Sequence, residues 1–525
     1  MSHLRPPAAS GRDVWGVASV PLLTAAEAAA ADRAARERQG VPERVLMENA
    51  GRSAALVIAR LFPDGPVVAA VGGGNNGGDA LVALRTLAAW GREVACVQAA
   101  SRVPDAALLH HFPLEIRPAA EAAEVFARAA VVLDGILGTG SQGAPREPAA
   151  GVIRAMNGSG RPVVALDLPS GVDPTTGAVA EPAVVASVTV SFGWPKTGLL
   201  LQPARAHCGR LVVVEIGFPP YGPERPGAEL ITPGWAAARL RARPPDAHKA
   251  TSGRLLVLAG RAGMAGAAAI AGRSAVRAGA GLVRLASVAA NREILQTLVP
   301  EAVFVDRDDG PALREAAADC AAVLAGPGLG VGEDARRALE IALEATPGRP
   351  VLLDADALTL FAGSGGALAA LARERPVVLT PHPGEMSRLT GAPVAEIRQD
   401  PLAAARALAA STGCVVLLKG APSVVAAPDE PVLVNTVGSS DVAAAGMGDQ
   451  LAGVIGALLA AGHDARTSAA LGLFYSGRAA DLAARGRSLS PLDVSDHLHR
   501  AFASPGARRP PLDLPFVTFD QPPRR

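Results

Sequence analysis

One arrangement recurs along this chain and restricts its fold more than any other: a short apolar run, a glycine-rich turn, then a helical stretch. The first instance is Val67 to Val71, then Gly72-Gly73-Gly74-Asn75-Asn76-Gly77-Gly78-Asp79, then a predicted helix from Ala80 to Trp90. Five glycines in seven residues cost more backbone entropy than a simple turn requires. A strand, a glycine turn and a helix in that order aim backbone N–H groups at an anionic ligand. The turn lacks the Gly-Lys-Ser/Thr of a Walker loop and the usual register of the dinucleotide fingerprint.

The pattern then repeats. Val131 to Asp134 runs into Gly135-Ile136-Leu137-Gly138-Thr139-Gly140, and Val163 to Asp167 into Leu168-Pro169-Ser170-Gly171. In the second half, strands ending near Leu258, Leu324, Leu353, Leu379 and Leu418 lead to Gly260–Ala267, Gly326–Gly330, Asp354–Leu358, Thr380–Glu385 and Lys419-Gly420. Such alternation predicts α/β architecture, with the loops on the sheet edge where open α/β folds bind ligands. Asp354 and Asp356 read equally as metal-linked carboxylates or as helix caps. His382, rigid between two prolines, is a candidate for ligand contact.

The stretch Gly446-Met447-Gly448-Asp449, followed by the apolar run Leu451 to Ala461, predicts a buried helix with Asp449 at its N-terminus. An acid beside helix N–H groups has two readings. It is a cap, or it is a base that takes a hydroxyl proton beside a phosphoryl site. Upstream, Thr24 and Glu27 fit a capping box opening a helix to about Gln39, and a second helix is predicted from Glu43 to Leu61.

At 525 residues the chain exceeds one core, since domains average roughly 150 residues. Proline clusters at 219–226 and 244–245 set the boundary near Glu229. The divisions are a leader at 1–20, domains at 21–228 and 229–505, and a Pro/Arg tail at 506–525, with leader and tail expected to be disordered. A formal charge of +1 favours neither nucleic acid nor anionic membrane, and no uninterrupted apolar run of about 20 residues occurs. With no apolar signal core near Met1, a cytoplasmic location is expected. The four cysteines are scattered and read as buried thiols. Of 50 basic residues only Lys196, Lys249 and Lys419 are lysine, which reads either as places where a compact ammonium is needed or as chance retention. Lys196 is placed either at a phosphate or on a solvated loop, and Trp194 in packing.

The motifs Leu46–Gly51, Gly74–Asp79, Asp134–Gly140 and Asp167–Asp173 together resemble the NAD(P)H-hydrate epimerase domain, the YjeF N-terminal family, over about Leu22 to Phe218. The resemblance implies a Rossmann-like three-layer domain in which Asn76, Asp134 and Ser170 hold K⁺. Asn75, Asn76, Gly77, Gly78 and Asp79 would line the cofactor site with Gly138, Thr139, Gly140, Ser141, Gln142, Gly143, Ala144 and Asp167, the last as acid/base. The match departs at Ala80, where the family usually has glycine. Oxygen ligands of this kind suit a hard cation.

The loops Gly326–Gly330, Leu379–Glu385 and Gly446–Gly453 resemble the ribokinase-like ADP- or ATP-dependent NAD(P)H-hydrate dehydratases, over about Pro233 to Phe502. That family implies hydrate binding by Ala267, Gly328, His382 and Asp449, the last catalytic. It implies adenine-nucleotide binding by Lys419, Gly420, Ala421, Pro422, Ser423 and Gly448, with Mg²⁺. Met447 replaces the family's usual threonine. The expected protein is thus a bifunctional repair enzyme for hydrated nicotinamide cofactors, acting on NAD(P)HX with ADP or ATP, and a homo-oligomer. The alternative is a kinase of hydroxymethylpyrimidine or hydroxyethylthiazole type carrying a non-catalytic nucleotide-binding module.

Overall fold

Alternate residues of Val67–Val71 pack on opposite sides of a sheet, and this two-sided burial explains why the strand is apolar throughout. Val67, Ala69 and Val71 join a core containing helices Glu43–Leu61 and Asn75–Ala89. Val68 and Ala70 join another containing helices Ala122–Arg128 and Ala149–Gly158. A strand with helices on both faces buries all its side chains, so its sequence loses the period-two polar alternation. The computed structural model describes residues 20–102, 106–109, 112–141, 143–219, 225–242, 253–503 and 516–518. They form two compact units that divide at the start of the strand Ala228–Leu230, which belongs to the second unit's sheet.

The first unit contains β1 (Val20–Leu22), β2 (Val67–Val71), β3 (Val94–Gln98), β4 (Glu115–Pro118), β5 (Val131–Gly135), β6 (Val163–Leu166), β7 (Val188–Phe192) and β8 (Arg210–Val214). Its parallel strands run in the order β4-β3-β2-β5-β6-β7-β8. The chain winds outward from β2 to β4, then returns to lay β5 on the other side of β2. That reversal opens a crevice at the C-terminal ends of β2 and β5. Gly72 and Gly135 sit there. A Cβ on Gly72 would fall 1.9 Å from the Ile136 carbonyl oxygen, so only glycine lets the two turns touch.

The second unit contains β9 (Ala228–Leu230), β10 (Arg254–Leu258), β11 (Leu282–Ser287), β12 (Val303–Asp306), β13 (Ala322–Ala325), β14 (Val351–Leu353), β15 (Val377–Leu379), β16 (Val415–Leu418), β17 (Val424–Ala426) and β18 (Val432–Val434). Strands β12-β11-β10-β13-β14-β15-β16 are parallel, with β17 and β18 added antiparallel and β9 beyond them. The winding reverses again, between β10 and β13. Helix Met447–Ala460 is buried from Gln450 onward and packs into the main core of this unit, which fixes the direction of its N-terminus.

Two expectations change. The helix after the first glycine turn begins at Asn75, so the Asn-Asn-Gly-Gly-Asp segment is helical rather than loop. Close packing is the reason: a Cβ on Gly78 would lie 2.7 Å from the Met47 sulfur, so the glycines serve helix contact as well as turning. Within the tail expected to be disordered, Phe516–Thr518 forms β19, antiparallel to β8. Three strand-favouring residues meet the open edge of β8. Residues 1–19, 504–515 and 519–525 lie outside the described part, as do Gln142, Lys249 and the proline pair at 244–245. The capping box is present, with the Thr24 hydroxyl accepting from the Glu27 N–H at 3.2 Å and the Glu27 carboxylate from the Thr24 N–H at 2.8 Å. The four cysteines are free and buried. No described helix is long and apolar enough to cross a membrane.

Gly326 has φ +132°, and a Cβ there would fall 1.7 Å from the Asp354 carbonyl oxygen. Gly326→Ala should therefore lower the stability of the second unit by more than about 2 kcal/mol in denaturant titration. Gly366→Ala, at a helical position with nothing within 4 Å of the added methyl, should be neutral or slightly stabilising.

Candidate active sites

Each unit brings a strand-end aspartate together with one of the rare lysines. In the first, Asp167 follows β6 with φ +65°, a left-handed conformation that non-glycine residues seldom adopt. Its backbone N–H donates to the Val190 carbonyl at 2.7 Å, which holds the turn against β7. Lys196 Nζ donates to Asp167 Oδ1 at 2.5 Å, and also to Ser191 Oγ at 3.2 Å and the Phe192 carbonyl at 2.8 Å. The ammonium is buried with all three protons engaged. Lys196 is therefore neither on a solvated loop nor free for a phosphate. Trp194 is buried in packing.

Asp134, at the end of β5, is fully enclosed. Oδ2 accepts from the Ser170 N–H at 2.7 Å, and Oδ1 from the Ser170 hydroxyl at 2.7 Å and the Ile136 N–H at 3.2 Å. Burial pushes its carboxyl up to about 6, against these hydrogen bonds, which favour the anion. Asn76 spans the crevice, its amide donating to the Leu137 and Leu166 carbonyls at 2.9 and 3.0 Å. Its Oδ1 is buried with no hydrogen-bond partner. Gly138 admits this packing, since a Cβ there would lie 3.3 Å from the Asn76 Cβ and 3.9 Å from Asp167 Oδ2.

The other predicted members are less tightly grouped. Asn75 donates outward to Glu43 Oε1 at 2.8 Å, while Gly77, Gly78 and Asp79 continue the helix. Burial, and then the Asp167 carboxylate, raise the Asp79 carboxyl well above its ordinary range, while Lys196 opposes the shift. Gly138 to Ser141, with Gly143 and Ala144, follow β5 as loop, where the Ser141 N–H donates to the Gly138 carbonyl and Gly143 takes a positive φ.

In the second unit, Gly446 takes φ +82° and opens helix Met447–Ala460, with Asp449 in its first turn. Asp354, at the end of β14, is buried. Its Oδ1 accepts from Lys419 Nζ and from the Thr380 hydroxyl, both at 2.8 Å, while Glu385 Oε2 lies 3.7 Å from Lys419 Nζ. Asp354 is thus an ion-pair partner rather than a side-chain cap. A Cβ on Gly448 would come within 3.4 Å of Lys419 Nζ, so the glycine turn and the lysine adjoin. Burial raises the Asp449 carboxyl to about 7; Asp354 adds to this, Lys419 opposes it, and Asp356 and Glu385 contribute less. Burial alone would lower the Lys419 ammonium, but Asp354, Glu385 and Asp449 reverse that and raise it.

His382 caps the helix Pro383–Thr390, its Nδ1 accepting from the Gly384 and Glu385 N–H groups at 3.0 and 3.3 Å. Its ring is half exposed, so capping leaves Nε2 at the surface, 3.5 Å from Glu385 Oε1. Ala267 and Gly328 adjoin, a Cβ on Gly328 lying 3.1 Å from that of Ala267. Beside them opens a cleft of about 450 Å³ lined by Arg261, Met264, Gly330 and Asp356, whose Oδ2 accepts from the Gly330 N–H at 2.8 Å. Gly420 and Ser423 close the loop after β16 on each other through the Ser423 hydroxyl.

A family profile described as NAD(P)H-hydrate dehydratase matches residues 255–500, and one described as YjeF-related protein N-terminus matches residues 43–198. A bifunctional NAD(P)H-hydrate repair enzyme of Moorella thermoacetica is 36% identical over 511 residues, covering 91% of this chain and 95% of that protein. The chain belongs to the bifunctional NAD(P)H-hydrate repair enzyme family. The relative from Mycobacterium leprae is 38% identical over 469 residues, covering 87% of this chain and 93% of its own. Among solved structures, the ADP/ATP-dependent NAD(P)H-hydrate dehydratase of Bacillus subtilis, co-crystallised with ATP and Mg²⁺, is 32% identical. It covers 52% of this chain and 96% of its own, with a TM-score of 0.46.

Motif reading alone left Ser191 and Glu385, which adjoin Lys196 and Lys419 in this repair enzyme, and Thr380, which adjoins Asp354, unseen. The scarcity of lysine pointed to Lys196 and Lys419 but not to what they hold. Lys196→Met leaves Asp167 as a buried carboxylate without its counter-ion and should cost about 3–5 kcal/mol by chemical denaturation. The double variant Lys196→Met, Asp167→Leu should recover most of that loss. Additive losses would contradict the pairing.

Proposed function

We propose that the first unit epimerises the hydrated dihydronicotinamide and the second dehydrates its S form, using a nucleoside phosphate to expel the hydroxyl. The observation that carries this reading is the pairing of two separate carboxylate centres, around Asp167 and around Asp449, in one chain of the repair-enzyme family.

In the second unit, Asp449 takes the proton of the ring hydroxyl as its oxygen attacks the terminal phosphorus, and the bond from that phosphorus to the bridging oxygen breaks to release the nucleotide one phosphate shorter. The N–H groups at Gly446 to Gly448 and the Lys419 ammonium meet the negative charge that develops there. The phosphate ester then leaves as the ring nitrogen donates its lone pair, and loss of a proton from the neighbouring carbon restores the dihydropyridine. Residues Lys419 to Ser423 take the adenine nucleotide, while Ala267, Gly328 and His382 face the hydrate. Mg²⁺ would be held with the nucleotide's phosphates. It offsets phosphate charge.

In the first unit the unpartnered Asn76 Oδ1, the Asp134 carboxylate and the Ser170 hydroxyl form a hard-oxygen set that fits K⁺. Bound there, K⁺ supplies fixed positive charge at the crevice. The residues Asn75 to Asp79, the Gly138 to Ala144 loop and Asp167 surround the ring on this reading.

Asp449→Ala should abolish dehydration and leave epimerisation running; equal loss of both activities would refute two separate sites. Asp167→Ala should show the reverse on resolved epimers. Because a base works only when deprotonated, kcat/KM for dehydration should rise with pH through about 7 and level off above it. Lys419→Gln should move that rise to higher pH, since the cation favouring the Asp449 anion is gone. KCl should raise the melting temperature of the wild type more than equimolar NaCl does, and Asn76→Ala should erase the difference.

A further inference from the structure

The epimerase centre holds two carboxylates in unlike surroundings. Asp167 Oδ1 is taken by Lys196 at 2.5 Å and by the Phe192 N–H at 3.3 Å, while Oδ2 makes no hydrogen bond among the described residues. That free oxygen points toward the Gly138 loop, 3.9 Å from where a Cβ on Gly138 would sit. Asp79 is different. It projects from the second turn of helix Asn75–Ala89, is 9% exposed, and its side chain makes no hydrogen bond or ion pair among the described residues. The charged groups acting on it are Asp167 and Lys196. Enclosure with no ion pair of its own favours the protonated form of an acid, whereas pairing with an ammonium favours the carboxylate.

We propose that Asp79 is the proton carrier of the epimerase site, while Asp167, fixed by Lys196, stabilises the cationic ring through Oδ2. The inference rests on the epimerase reading of the first unit and moves the proton-transfer role away from Asp167. Asp79 gives its proton to the ring hydroxyl. The carbon–oxygen bond breaks, its electron pair leaves with water, and the nitrogen lone pair forms a C=N⁺ bond. The positive charge then faces Asp167 Oδ2. Water adding to the opposite face forms the new carbon–oxygen bond and returns the π pair to nitrogen. The proton it sheds passes through pocket solvent to the Asp79 carboxylate, so the enzyme ends as it began. The division matches the two-carboxylate logic of glycoside cleavage, where one acid protonates the leaving oxygen and one anion faces an oxocarbenium ion.

The test uses the full chain and resolved R and S hydrates, with dehydration of the S form by the same preparations as the measure of correct folding. Asp79→Asn should lower kcat for epimerisation by about 100- to 10,000-fold. It should also remove the fall in rate seen in the wild type as rising pH strips the donor of its proton. Asp167→Asn should lower kcat yet keep that falling limb. Lys196→Gln should lower kcat with KM changed by no more than about threefold, the limb again present. The proposal is overturned if Asp79→Asn keeps wild-type rate and limb, or if Asp167→Asn is the variant that loses the limb. A wild-type chain that does not interconvert the epimers at all sinks the epimerase reading itself, and this proposal with it.

Discussion

A lysine ammonium locked onto a strand-end aspartate lies beside a glycine turn in both units, and the geometry of each candidate site depends on it. Enclosing two opposite charges costs several kcal/mol of desolvation per ion, so such a pair adds little net stability. What it supplies is position. Lys196 occupies one Asp167 oxygen and leaves the other free; Lys419 ties Asp354 and Glu385 to the turn that carries Asp449. Arginine would not substitute readily, because its planar fork cannot place three converging protons as the Lys196 ammonium does.

Both units set these pairs on the same kind of frame. Each parallel sheet winds outward for three strands and then reverses, between β2 and β5 in one and between β10 and β13 in the other. Reversal leaves a crevice that no crossover helix covers. Glycine is needed where neighbouring turns come within contact of each other, as Gly72 does with Ile136 and Gly326 with Asp354. The candidate site carboxylates sit at strand ends, and in Asp449 and Asp79 on the helices that follow glycine turns.

Much of this was legible because burial on both faces turns strands into unbroken apolar runs and because glycine turns punctuate them. The helix Glu43–Leu61 and the capping box at Thr24 follow from local chemistry alone. The helical start at Asn75 was not legible, since glycine propensity argues against helix and only packing against Met47 overrides it. Strand β19 escaped notice because its partner β8 lies some 300 residues earlier, and pairing at that separation leaves no local trace. Lys196 and Asp354 were recognisable as special but not assignable, for an ion pair is a property of two distant segments.

The two chemistries complete each other. Hydration of the ring yields both epimers, and a dehydratase selective for one strands the other unless an epimerase feeds it. The most direct test is to incubate an equal mixture of R and S hydrates with one nucleotide equivalent per hydrate. Dihydronicotinamide absorbance and orthophosphate are then followed together. Complete conversion of both epimers in one continuous phase is expected, with one orthophosphate released per cofactor restored. Conversion that stops at half and continues only at the spontaneous rate, or accumulation of a stable phosphorylated product, would contradict it.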